Sequence, residues 1–412
     1  MKKTVLITLL LAGFCTLNLL AQNPGCDGTR YLDNVFPSVK KTTVNYAPTL
    51  NHTGQPFNLS MDVYEPEGDN LSARPVVILA HGGSFLFGDK SMMQPWCELL
   101  AKKGYVAVSI QYRLFPFIIL GIPDSTDIFD TAIKATGDMK AAVRYFREDA
   151  ATANLFRADA SNIFIGGYSA GAVAAMHTAY LDADDQVPAF LQSSITDNGG
   201  LEGISGTASN KTYPSGSKAV VNMSGGLYRS FWVDGSESPL VSIHGTADAT
   251  VPYTYGLAAN IAYLEGSSLV HVQAASEGLW NNLLTVPGAG HTDLYEQAQW
   301  KPYIDTFWVN TTTLLESLAC ATVDAKEPSS VDLEAWSLFP NPASEKGFSV
   351  QLPENMGTVD LRVVDLWGKV VYQKPQIMGQ QWIQTSHLPK GIYVVQILHP
   401  GKRFEIKQLV IQ

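Results

Sequence analysis

Short apolar runs alternate with helical stretches along most of this chain of 412 residues. Runs such as RPVVILAHGG, YVAVSIQYR and SNIFIGG have the length of buried strands, and they end in glycine or in polar residues. The stretches between them, such as WCELLAKKG and DMKAAVRYFREDAATANLF, have apolar residues at helical spacing. This alternation predicts an α/β fold, with a doubly wound, mostly parallel sheet covered on both faces. Because ligands bind beyond the carboxyl ends of such strands, we expect the chemistry where the runs end.

Two further elements are expected to frame this sheet. The runs TTVNYAP and FNLSMDVYEP, within residues 42–66, can form a β-hairpin before the alternating pattern begins. Residues 292–318 have the pattern of one amphipathic helix, which we expect to close the large domain.

The two ends of the chain depart from the α/β pattern. Two lysines and an apolar run predict a signal peptide over residues 1–21, with a membrane anchor as the alternative. Residues 323–336, VDAKEPSSVDLEAW, have the composition of a linker. Beyond them, strand-like runs follow one another without helices, so residues 337–412 are expected to form a small all-β sandwich. The large domain is therefore expected to span residues 22–322.

Composition and charge exclude several classes of protein. Hydrophobic residues make up 46% of the chain and charged residues 16%, which is not the composition of a disordered protein. The formal net charge of −10 argues against a basic footprint for nucleic acid. Beyond the predicted signal peptide, no stretch is apolar and long enough to predict a stable membrane span.

Export makes disulfide bonds possible, and three cysteines follow the predicted signal peptide. Cys97 lies in a helix-like segment, where we expect a buried thiol. A bridge between Cys26 and Cys320 would join the two ends of the large domain, but the sequence alone does not fix the connectivity.

Two loop-like segments are candidates for the surroundings of a binding pocket. Residues 113–127, RLFPFIILGIPDSTD, are strongly apolar, and Phe115 and Phe117 are candidate substrate-binding residues together with Tyr168. Residues 182–217 are polar and rich in glycine and serine. This second segment can be a flap over the pocket or an ordinary surface loop.

The stretch NIFIGGYSAGAVAA places one hydroxyl where a strand gives way to a helix. Its Gly-Tyr-Ser-Ala-Gly core fits the G-x-S-x-G pattern, in which a strained strand-to-helix turn exposes the serine above the sheet. The amino-terminal end of the following helix adds a partial positive charge near the reacting centre. A glycine-rich turn without function is the alternative, but the strand and helix on either side favour Ser169 as a nucleophile.

A serine nucleophile needs a base, and the sequence offers eight histidines. In enzymes built on this turn, the catalytic residues follow the order Ser, acid, His along the chain. His244 precedes the candidate acid, and His271 lies inside an apolar run without a loop signal. His291 follows NLLTVPGAG, where two glycines allow the loop to fold over Ser169. We therefore predict that His291 is the base.

The acid is expected to hold the histidine in the correct tautomer and to stabilise the imidazolium. Asp248 follows the strand-like run PLVSIHG and precedes His291, as the order requires. The alternative is a carboxylate in a surface turn, because aspartate is common in turns. Asp293 is the second choice for the acid.

The stretch HGGSF after the first buried strand is a candidate oxyanion hole. Adjacent glycines allow backbone N–H groups to turn towards a ligand without a Cβ clash. In serine hydrolases, one donor comes from such a loop and another from the residue after the nucleophile. We predict the amides of Gly83, Ser84 and Ala170 as donors, with His81 in a structural role.

Taken together, HGGSF, QYRLFP, DMKAAVRYFRED, GYSAG, HGTAD and GAGH resemble the α/β-hydrolase superfamily, over roughly residues 42–320. The similarity is greatest to its secreted carboxylesterase and lipase branches, which implies a serine ester hydrolase without metal or cofactor. Two departures matter. The loop has HGGS where many esterases have HGGG, and QYRLFP replaces a DYRLAPE-like stretch. The first bears on the oxyanion donors and the second on the geometry of the pocket.

The C-terminal module is similar to the type A sorting domain of the type IX secretion system. The matching stretches are SLFPNPAS, VDLRVVDLWGKVV, LPKGIYVVQI and the basic KRFEIKQLVIQ. This resemblance implies that the type IX secretion machinery is a partner and that the protein is secreted or carried on the outer cell surface. A carbohydrate-binding sandwich is the alternative, with Trp367 and Trp382 as stacking platforms, although we expect both to pack in the core.

Several functions share the predicted triad. The same residues can act in a serine peptidase, in an esterase that releases acetate or ferulate from polysaccharides, or in a polyester hydrolase. A cell-surface binding protein on an inactive hydrolase scaffold is the non-enzymatic alternative. An intact set of Ser169, Asp248 and His291 argues against this last possibility.

Overall fold

An eight-stranded sheet runs through the large domain in the computed structural model, which describes residues 25–321, 336–344, 346–353, 356–365, 370–398 and 404–411. The predicted signal peptide and nearly all of the predicted linker lie outside these residues. The strands of residues 25–321 are β1 (Val39–Leu50), β2 (Pro56–Pro66), β3 (Arg74–Ala80), β4 (Val106–Ile110), β5 (Ala158–Tyr168), β6 (Val220–Met223), β7 (Gly226–Leu227), β8 (Leu240–Gly245), β9 (Tyr255–Ala258), β10 (Ala262–Gly266) and β11 (Asn281–Val286).

The strand order of the large sheet is β1-β2-β4-β3-β5-β6-β8-β11. The strands from β4 to β11 in this order pair in parallel, whereas β1 and β2 form the predicted antiparallel hairpin. The helices are α1 (Gln94–Lys102), α2 (Phe117–Leu120), α3 (Ser125–Ala151), α4 (Ala170–Tyr180), α5 (Ala189–Asp197), α6 (Ser267–Ser276), α7 (Asp293–Glu296) and α8 (Lys301–Ala319).

Helices cover both faces of this sheet, as the alternation predicts. Along β3, Val76 and Ile78 belong to one core cluster, which also takes residues from α3 and α4. Val77 and Leu79 belong to a second cluster, with residues from α1 and α8. Successive strand residues point to opposite faces of the sheet. A strand covered by helices on both faces must therefore be apolar throughout. This is why the strand runs in the sequence are continuous rather than alternating.

The helix predicted over residues 292–318 is wrong in its first third. The chain instead forms the single turn of α7 and a short 3-10 turn over 298–300, and α8 begins only at Lys301. Pro302 lies in the first turn of α8. Proline has no N–H to donate and is tolerated in a first turn, whereas it disrupts a helix interior.

The apolar segment 113–127 is only partly a loop. It contains α2, and its last residues already belong to α3, because Asp124 caps that helix by accepting hydrogen bonds from the amides of Thr126 and Asp127. Arg113, where the segment begins, forms a buried ion pair of 2.8 Å with Asp138 of α3.

The polar segment 182–217 is bound to α3. Asn198 donates to Asp130 at 2.7 Å, and the hydroxyl of Ser205 donates to Asp138 at 2.5 Å. These bonds hold the segment along the helix, and it contains α5 rather than being loop throughout.

The strands β7, β10 and β9 form a small antiparallel sheet that the sequence pattern did not predict. Along the chain, β9 and β10 come between β8 and α6, and they form a hairpin over residues 255–266. Ala259 and Asn260 at its turn both have positive φ angles, 48° and 59°, as tight hairpin turns require.

The C-terminal part is all β, as predicted. Its strands are β12 (Ser337–Ser344), β13 (Gly347–Gln351), β14 (Val359–Asp365), β15 (Val370–Ile377), β16 (Gln380–Ile383), β17 (Gly391–Leu398) and β18 (Phe404–Ile411). They pair in the order β15-β14-β17-β18-β12-β13-β16, around a separate core that includes Trp336 and Phe348. The prediction that Trp382 packs in a core is wrong, because its side chain on the edge strand β16 is 53% exposed. Trp367 lies outside the described residues.

A disulfide bond joins Cys26 to Cys320, which confirms the suggested pairing, and Cys97 is a buried free thiol. The bridge links the start of the large domain to the residue after α8. None of the helices in the described part of the chain has an apolar stretch of the length that a bilayer crossing needs.

Candidate active site

Ser169 lies on the sharp turn between β5 and α4. Its backbone has a positive φ of 54°, which is unusual for a residue with a side chain and marks a strained turn. The turn passes so close to β3 that a Cβ on Gly171 would lie 2.1 Å from the carbonyl oxygen of Ala80, and one on Gly167 would lie 2.7 Å from it. Glycine is required at both positions because no side chain fits there. The GYSAG sequence therefore follows from the turn geometry.

His291 is hydrogen-bonded to Ser169. It lies on the loop after β11, and its Nε2 is 2.7 Å from Ser169 Oγ. Its other ring nitrogen, Nδ1, lies 2.6 Å from Asp248 Oδ2. Because Asp248 Oδ2 only accepts, Nδ1 carries the proton and Nε2 is left to accept from the serine hydroxyl. The three predicted triad residues thus lie in one hydrogen-bonded line.

Asp248 lies on the loop after β8 and is held by its own backbone turn. Its Oδ1 accepts hydrogen bonds of 2.8 Å from the amides of Thr250 and Val251. Burial by itself would raise the pKa of this carboxyl, but the hydrogen bonds from His244 and His291 outweigh it and hold the pKa well below its usual value. Asp293, the second choice for the acid, accepts from the indole of Trp300 at 3.2 Å instead.

The loop after β3 presents backbone amides beside Ser169. Ser84 and Phe85 have positive φ angles of 55° and 62°, so the loop is strained where it passes the site. The carbonyl of Gly83 accepts from the amides of Leu86 and Phe87, at 2.9 and 3.0 Å, which closes the turn. Within residues 25–321, no protein group accepts a hydrogen bond from the amide of Gly83 or Ser84. Both amides are therefore available to a ligand.

His81 packs in the core and is hydrogen-bonded to this loop, in line with the structural role expected for it. Its ring is fully buried and stacks on Tyr112, with ring centroids 4.4 Å apart. Its Nδ1 hydrogen-bonds the carbonyl of Gly82 at 2.7 Å. Burial lowers the pKa of His81, so the ring is neutral at ordinary pH.

A small apolar cavity of about 40 Å³ opens beside Ser169, Ala170 and Ser84. Its walls come from α3, α4 and the hairpin of residues 255–266. The lining side chains include Phe85, Ile128, Phe129, Ala132, Val173, Val251, Ala258, Ile261, Ala262 and Leu264.

None of the three predicted substrate-binding residues lines this cavity. Phe115 is buried, and its ring lies edge-on to His52, with centroids 6.0 Å apart. Phe117 packs against Phe87 on the surface, and Tyr168 stacks on His291. No residue of 182–217 lines the cavity either, so this segment is not its cover.

The hairpin residues that do line the cavity were missed by sequence reasoning. The stretch YGLAANIAYLEG carries a usable signal, because small and large apolar residues surround Asn260, a residue that favours turns. It begins seven residues after the predicted acid, at the same edge of the sheet.

One group of acidic side chains has the spacing of a metal site. Carboxylate oxygens of Asp182, Asp234 and Glu237 lie within 4.8 Å of one another. Asp182 and Asp234 are exposed and Glu237 is partly exposed, and none of the three lines the cavity beside Ser169. Exposed acidic groups of this kind are common without an ion, so they have no assigned part in the chemistry.

Two parts of the chain match models of known protein families. Residues 61–225 match the family model named BD-FAE. The large domain has an α/β-hydrolase fold, and the matched residues run from β2 to the loop after β6. Residues 337–412 of the same chain match the model of a secretion system C-terminal sorting domain. A sorting domain at the C-terminal end of this hydrolase indicates that the protein is secreted or displayed on the outer surface.

Curated proteins match a limited segment of this chain. An alignment of 127 residues with Esterase-5C of Drosophila miranda has 31% identity. This alignment covers 31% of this chain and 22% of the esterase. Over 125 residues the chain is 30% identical to the non-reducing polyketide synthase atr1 of Stereocaulon alpinum, covering 30% of this chain and 5% of the synthase. The chain thus spans less than a quarter of the length of these two relatives.

Among solved structures, the hydrolase is similar to esterase 2 of Thermogutta terrifontis. The apo form is 18% identical and aligns with a TM-score of 0.48 over 69% of this chain and 97% of that chain. The propionate-bound form is 19% identical, with a TM-score of 0.47 over 68% of this chain and 95% of that chain.

Proposed function

We propose that residues 22–322 are a serine carboxylic-ester hydrolase that works through an acyl-enzyme on Ser169. The hydrogen-bonded line from Ser169 Oγ through His291 to Asp248 carries this proposal, with contacts of 2.7 and 2.6 Å. A serine hydroxyl is a weak nucleophile by itself, and a base at this distance can remove its proton as it attacks. The similarity to esterases supports ester cleavage as the reaction.

Acylation begins when Ser169 Oγ attacks the ester carbonyl carbon and its proton passes to His291 Nε2. Asp248, held ionised by its hydrogen bonds, stabilises the imidazolium that forms. The carbonyl oxygen becomes an oxyanion, and we expect the amides of Gly83, Ser84 and Ala170 to donate to it. His291 then gives its proton to the leaving alkoxide, and the C–O bond of the ester breaks.

Deacylation repeats these steps with water. His291 takes a proton from a water molecule, whose oxygen attacks the acyl carbon, and the same amides hold the second oxyanion. The proton returns to Ser169 Oγ as the acid product leaves. Each proton is taken and returned by one histidine, so the residues of this chain are sufficient for the cycle.

The cavity beside Ser169 favours a short, apolar acyl group. Its apolar walls and its small volume of about 40 Å³ favour an acetyl, propionyl or similar group over a long acyl chain. Esters of small acids are therefore the proposed substrates.

An ester carried by a polysaccharide is a second candidate, on the alcohol side. Tyr255 and Tyr263 are stacked nearly parallel, with ring centroids 5.5 Å apart, and both are about half exposed. They belong to the hairpin whose other residues line the cavity. Flat, exposed aromatic rings of this kind can pack against the faces of sugar rings.

We also propose that residues 337–412 direct the hydrolase to the type IX secretion machinery, and that residues 323–336 are a linker between the two parts. The match to a sorting domain supports this route. Fusing residues 323–412 to an unrelated exported enzyme, in a host that has this machinery, tests it. Release of the fusion into the medium supports the route, and retention in the periplasm contradicts it.

The hydrolase proposal is tested with p-nitrophenyl esters from acetate to palmitate, using wild type and Ser169→Ala in parallel. We expect activity that falls with chain length and a loss of roughly 10⁴- to 10⁶-fold in kcat for the variant. A fluorophosphonate probe should label wild type and not Ser169→Ala. Near wild-type turnover in Ser169→Ala would exclude this residue as the nucleophile.

The same assay separates the alternatives. Inactivity on every ester, with cleavage of peptide substrates, favours a serine peptidase. Acetate released from acetylated polysaccharide, and lost when Tyr255 and Tyr263 are both changed to alanine, supports the second candidate. Inactivity on all substrates together with no labelling by the probe favours the binding protein.

A further inference from the structure

We propose that His244, which lies outside the triad, positions Asp248 for its work on His291. This inference rests on the proposed function, since it concerns the acid of the same triad. His244 is fully buried near the end of β8, and it precedes Asp248 by four residues. The order of the triad along the chain excludes it as the base, which leaves its buried contact with the acid without a role.

His244 approaches the same oxygen of Asp248 that His291 uses. Its Nε2 hydrogen-bonds the carbonyl of Val251 at 3.0 Å and lies 3.2 Å from Asp248 Oδ2. Both of these oxygens are acceptors, so Nε2 must carry a proton. This N–H bond donates to the carbonyl of Val251 and also brings its positive end close to the carboxylate oxygen that the backbone donors leave free. Asp248 Oδ2 is shared between two imidazoles, at 2.6 Å for His291 and 3.2 Å for His244.

A buried hydroxyl supports this tautomer of His244. Its Nδ1 lies 2.7 Å from the Oγ of Ser267, the first residue of α6. The Ser267 oxygen accepts a hydrogen bond of 2.9 Å from the side-chain amide of Asn222. Its own proton can go to His244 Nδ1 at 2.7 Å or to the carbonyl of Gly225 at 3.2 Å, and Nδ1 is the nearer acceptor. When Ser267 donates to Nδ1, His244 is a neutral imidazole that carries its proton on Nε2.

The orientation of Asn222 is fixed in turn. Its Oδ1 accepts from the amide of Gly225 at 2.9 Å, so its NH₂ group must face the hydroxyls of Ser267 and Ser242, at 2.9 and 2.8 Å. Ser242 in turn lies 2.7 Å from Nε2 of His271. One directed network therefore runs from β6 through α6 and β8 to the acid.

No other charged group competes for this contact. Within residues 25–321, no lysine, arginine or second carboxylate is hydrogen-bonded or ion-paired with His244 or Asp248. Tyr253 packs edge-on against the His244 ring, and its hydroxyl is paired with Thr285 at 2.7 Å. Buried donors that point at a catalytic carboxylate fix its orientation and share its charge. The network thus holds Asp248 without relying on His291.

The test measures kcat, KM and the pH profile of kcat/KM on p-nitrophenyl acetate for His244→Phe and His244→Gln. We expect His244→Phe to lower kcat by about 10- to 100-fold with KM little changed. Removing one donor leaves the Asp248 charge to act on His291 alone, so the acidic limb of the profile should move upward by roughly half a pH unit or more. A glutamine amide can still donate near Nε2, so His244→Gln should recover most of the loss.

His271→Phe is the matched control. His271 is a buried histidine of the same network, but two hydroxyls, one amide and the ring of His244 separate it from Asp248. We expect it to lower the melting temperature as His244→Phe does, while kcat stays within about threefold and the pH profile does not move. Equal losses of kcat in the two variants, with an unmoved profile in both, would assign His244 a structural role only.

Two further comparisons keep the result decisive. If His244→Phe does not fold, His244→Asn replaces it, because the shorter amide cannot reach Asp248, and equal kcat for the Asn and Gln variants overturns the inference. Ser169→Ala is measured in the same series. Retained turnover in Ser169→Ala refutes the proposed function, whereas an inactive Ser169→Ala beside silent His244 variants refutes the positioning role alone.

Discussion

The imidazole of His291 is stacked on the phenol ring of Tyr168, with ring centroids 5.2 Å apart and planes inclined by 25°. Tyr168 is the residue directly before Ser169, so one strand end carries the nucleophile and the surface on which the base rests. Tyr295 packs edge-on against the same Tyr168 ring, with centroids 4.8 Å apart. Tyr168 therefore orients His291 and does not line the cavity in which it was expected to bind substrate.

Changing Tyr168 to alanine should lower kcat by about 10- to 100-fold with little effect on KM, because His291 loses the surface that fixes its ring plane. Tyr168→Phe keeps the ring, and we expect its kcat to stay within about threefold of wild type. Steady-state kinetics on p-nitrophenyl acetate measures both. A raised KM with unchanged kcat in Tyr168→Ala would show instead that the side chain contacts substrate.

The cavity wall formed by Ile261 is expected to set the length of the acyl group. Ile261 lies on the hairpin beside Ser169, and Ile261→Ala should lengthen the cavity. Each methylene accommodated in an apolar pocket is worth about 1–3 kcal/mol, so the ratio of kcat/KM for hexanoate over acetate should rise at least tenfold. The measurement is a series of p-nitrophenyl esters of increasing chain length.

Ile119→Ala is the control for this experiment. Ile119 belongs to the apolar segment first expected to line the pocket, but its side chain is 72% exposed and away from the cavity. Its chain-length profile should match that of wild type. A shift in Ile119→Ala and none in Ile261→Ala would return the acyl site to the segment 113–127.

Much of the fold and the candidate triad could be predicted from the sequence, because both depend on short sequence patterns and on where strands end. A parallel strand buried on both faces must be apolar and must end in a loop, so β3, β4, β8 and the second half of β5 are visible as runs. Their carboxyl ends then bring together residues far apart in sequence. Ser169 and His291 are 122 residues apart along the chain, yet the order of the strands places them in contact.

The cavity walls could not be predicted in the same way. The hairpin of residues 255–266 is short, and its pairing depends on a tight turn rather than on a long pattern. Apolar residues in the segment 113–127 gave the opposite error. Their hydrophobicity suggested a pocket, but a short helix whose residues point outwards, such as Ile118 at 87% exposure, places them on the surface. Hydrophobicity alone does not tell which apolar residues face a ligand.

The bridge between Cys26 and Cys320 should contribute strongly to the stability of the large domain, because it closes a loop of 294 residues in the unfolded chain. Cys26→Ser is expected to lower the free energy of unfolding by about 2–5 kcal/mol. Thermal unfolding with and without reductant measures this. Reductant should lower the melting temperature of wild type to that of the variant and should leave the variant unchanged. If reductant also lowers the melting temperature of Cys26→Ser, its effect does not come from this bridge.

Glu237 should make the protein less stable as the pH rises. Burial and the nearby carboxylates of Asp234, Asp182 and Asp185 raise its pKa from 4.5 to about 8. Between these two values the folded protein keeps a proton that the unfolded chain has released, so the folding free energy weakens with increasing pH. Below about pH 4.5 the contribution is complete, and above about pH 8 it is lost.

Glu237→Gln tests this dependence, because glutamine stays neutral at every pH and can still accept from the amide of Asp234, as Glu237 does at 2.8 Å. Near pH 4.5 the variant and wild type should have the same melting temperature. As the pH rises to about 8, the melting temperature of the variant should increasingly exceed that of wild type, and above pH 8 the difference should stay constant. Glu277→Gln, at an exposed glutamate, should show no such growing difference. Melting curves that stay parallel from pH 4.5 to pH 8 would mean that Glu237 is ionised in the folded protein, and that the cluster tolerates its charge.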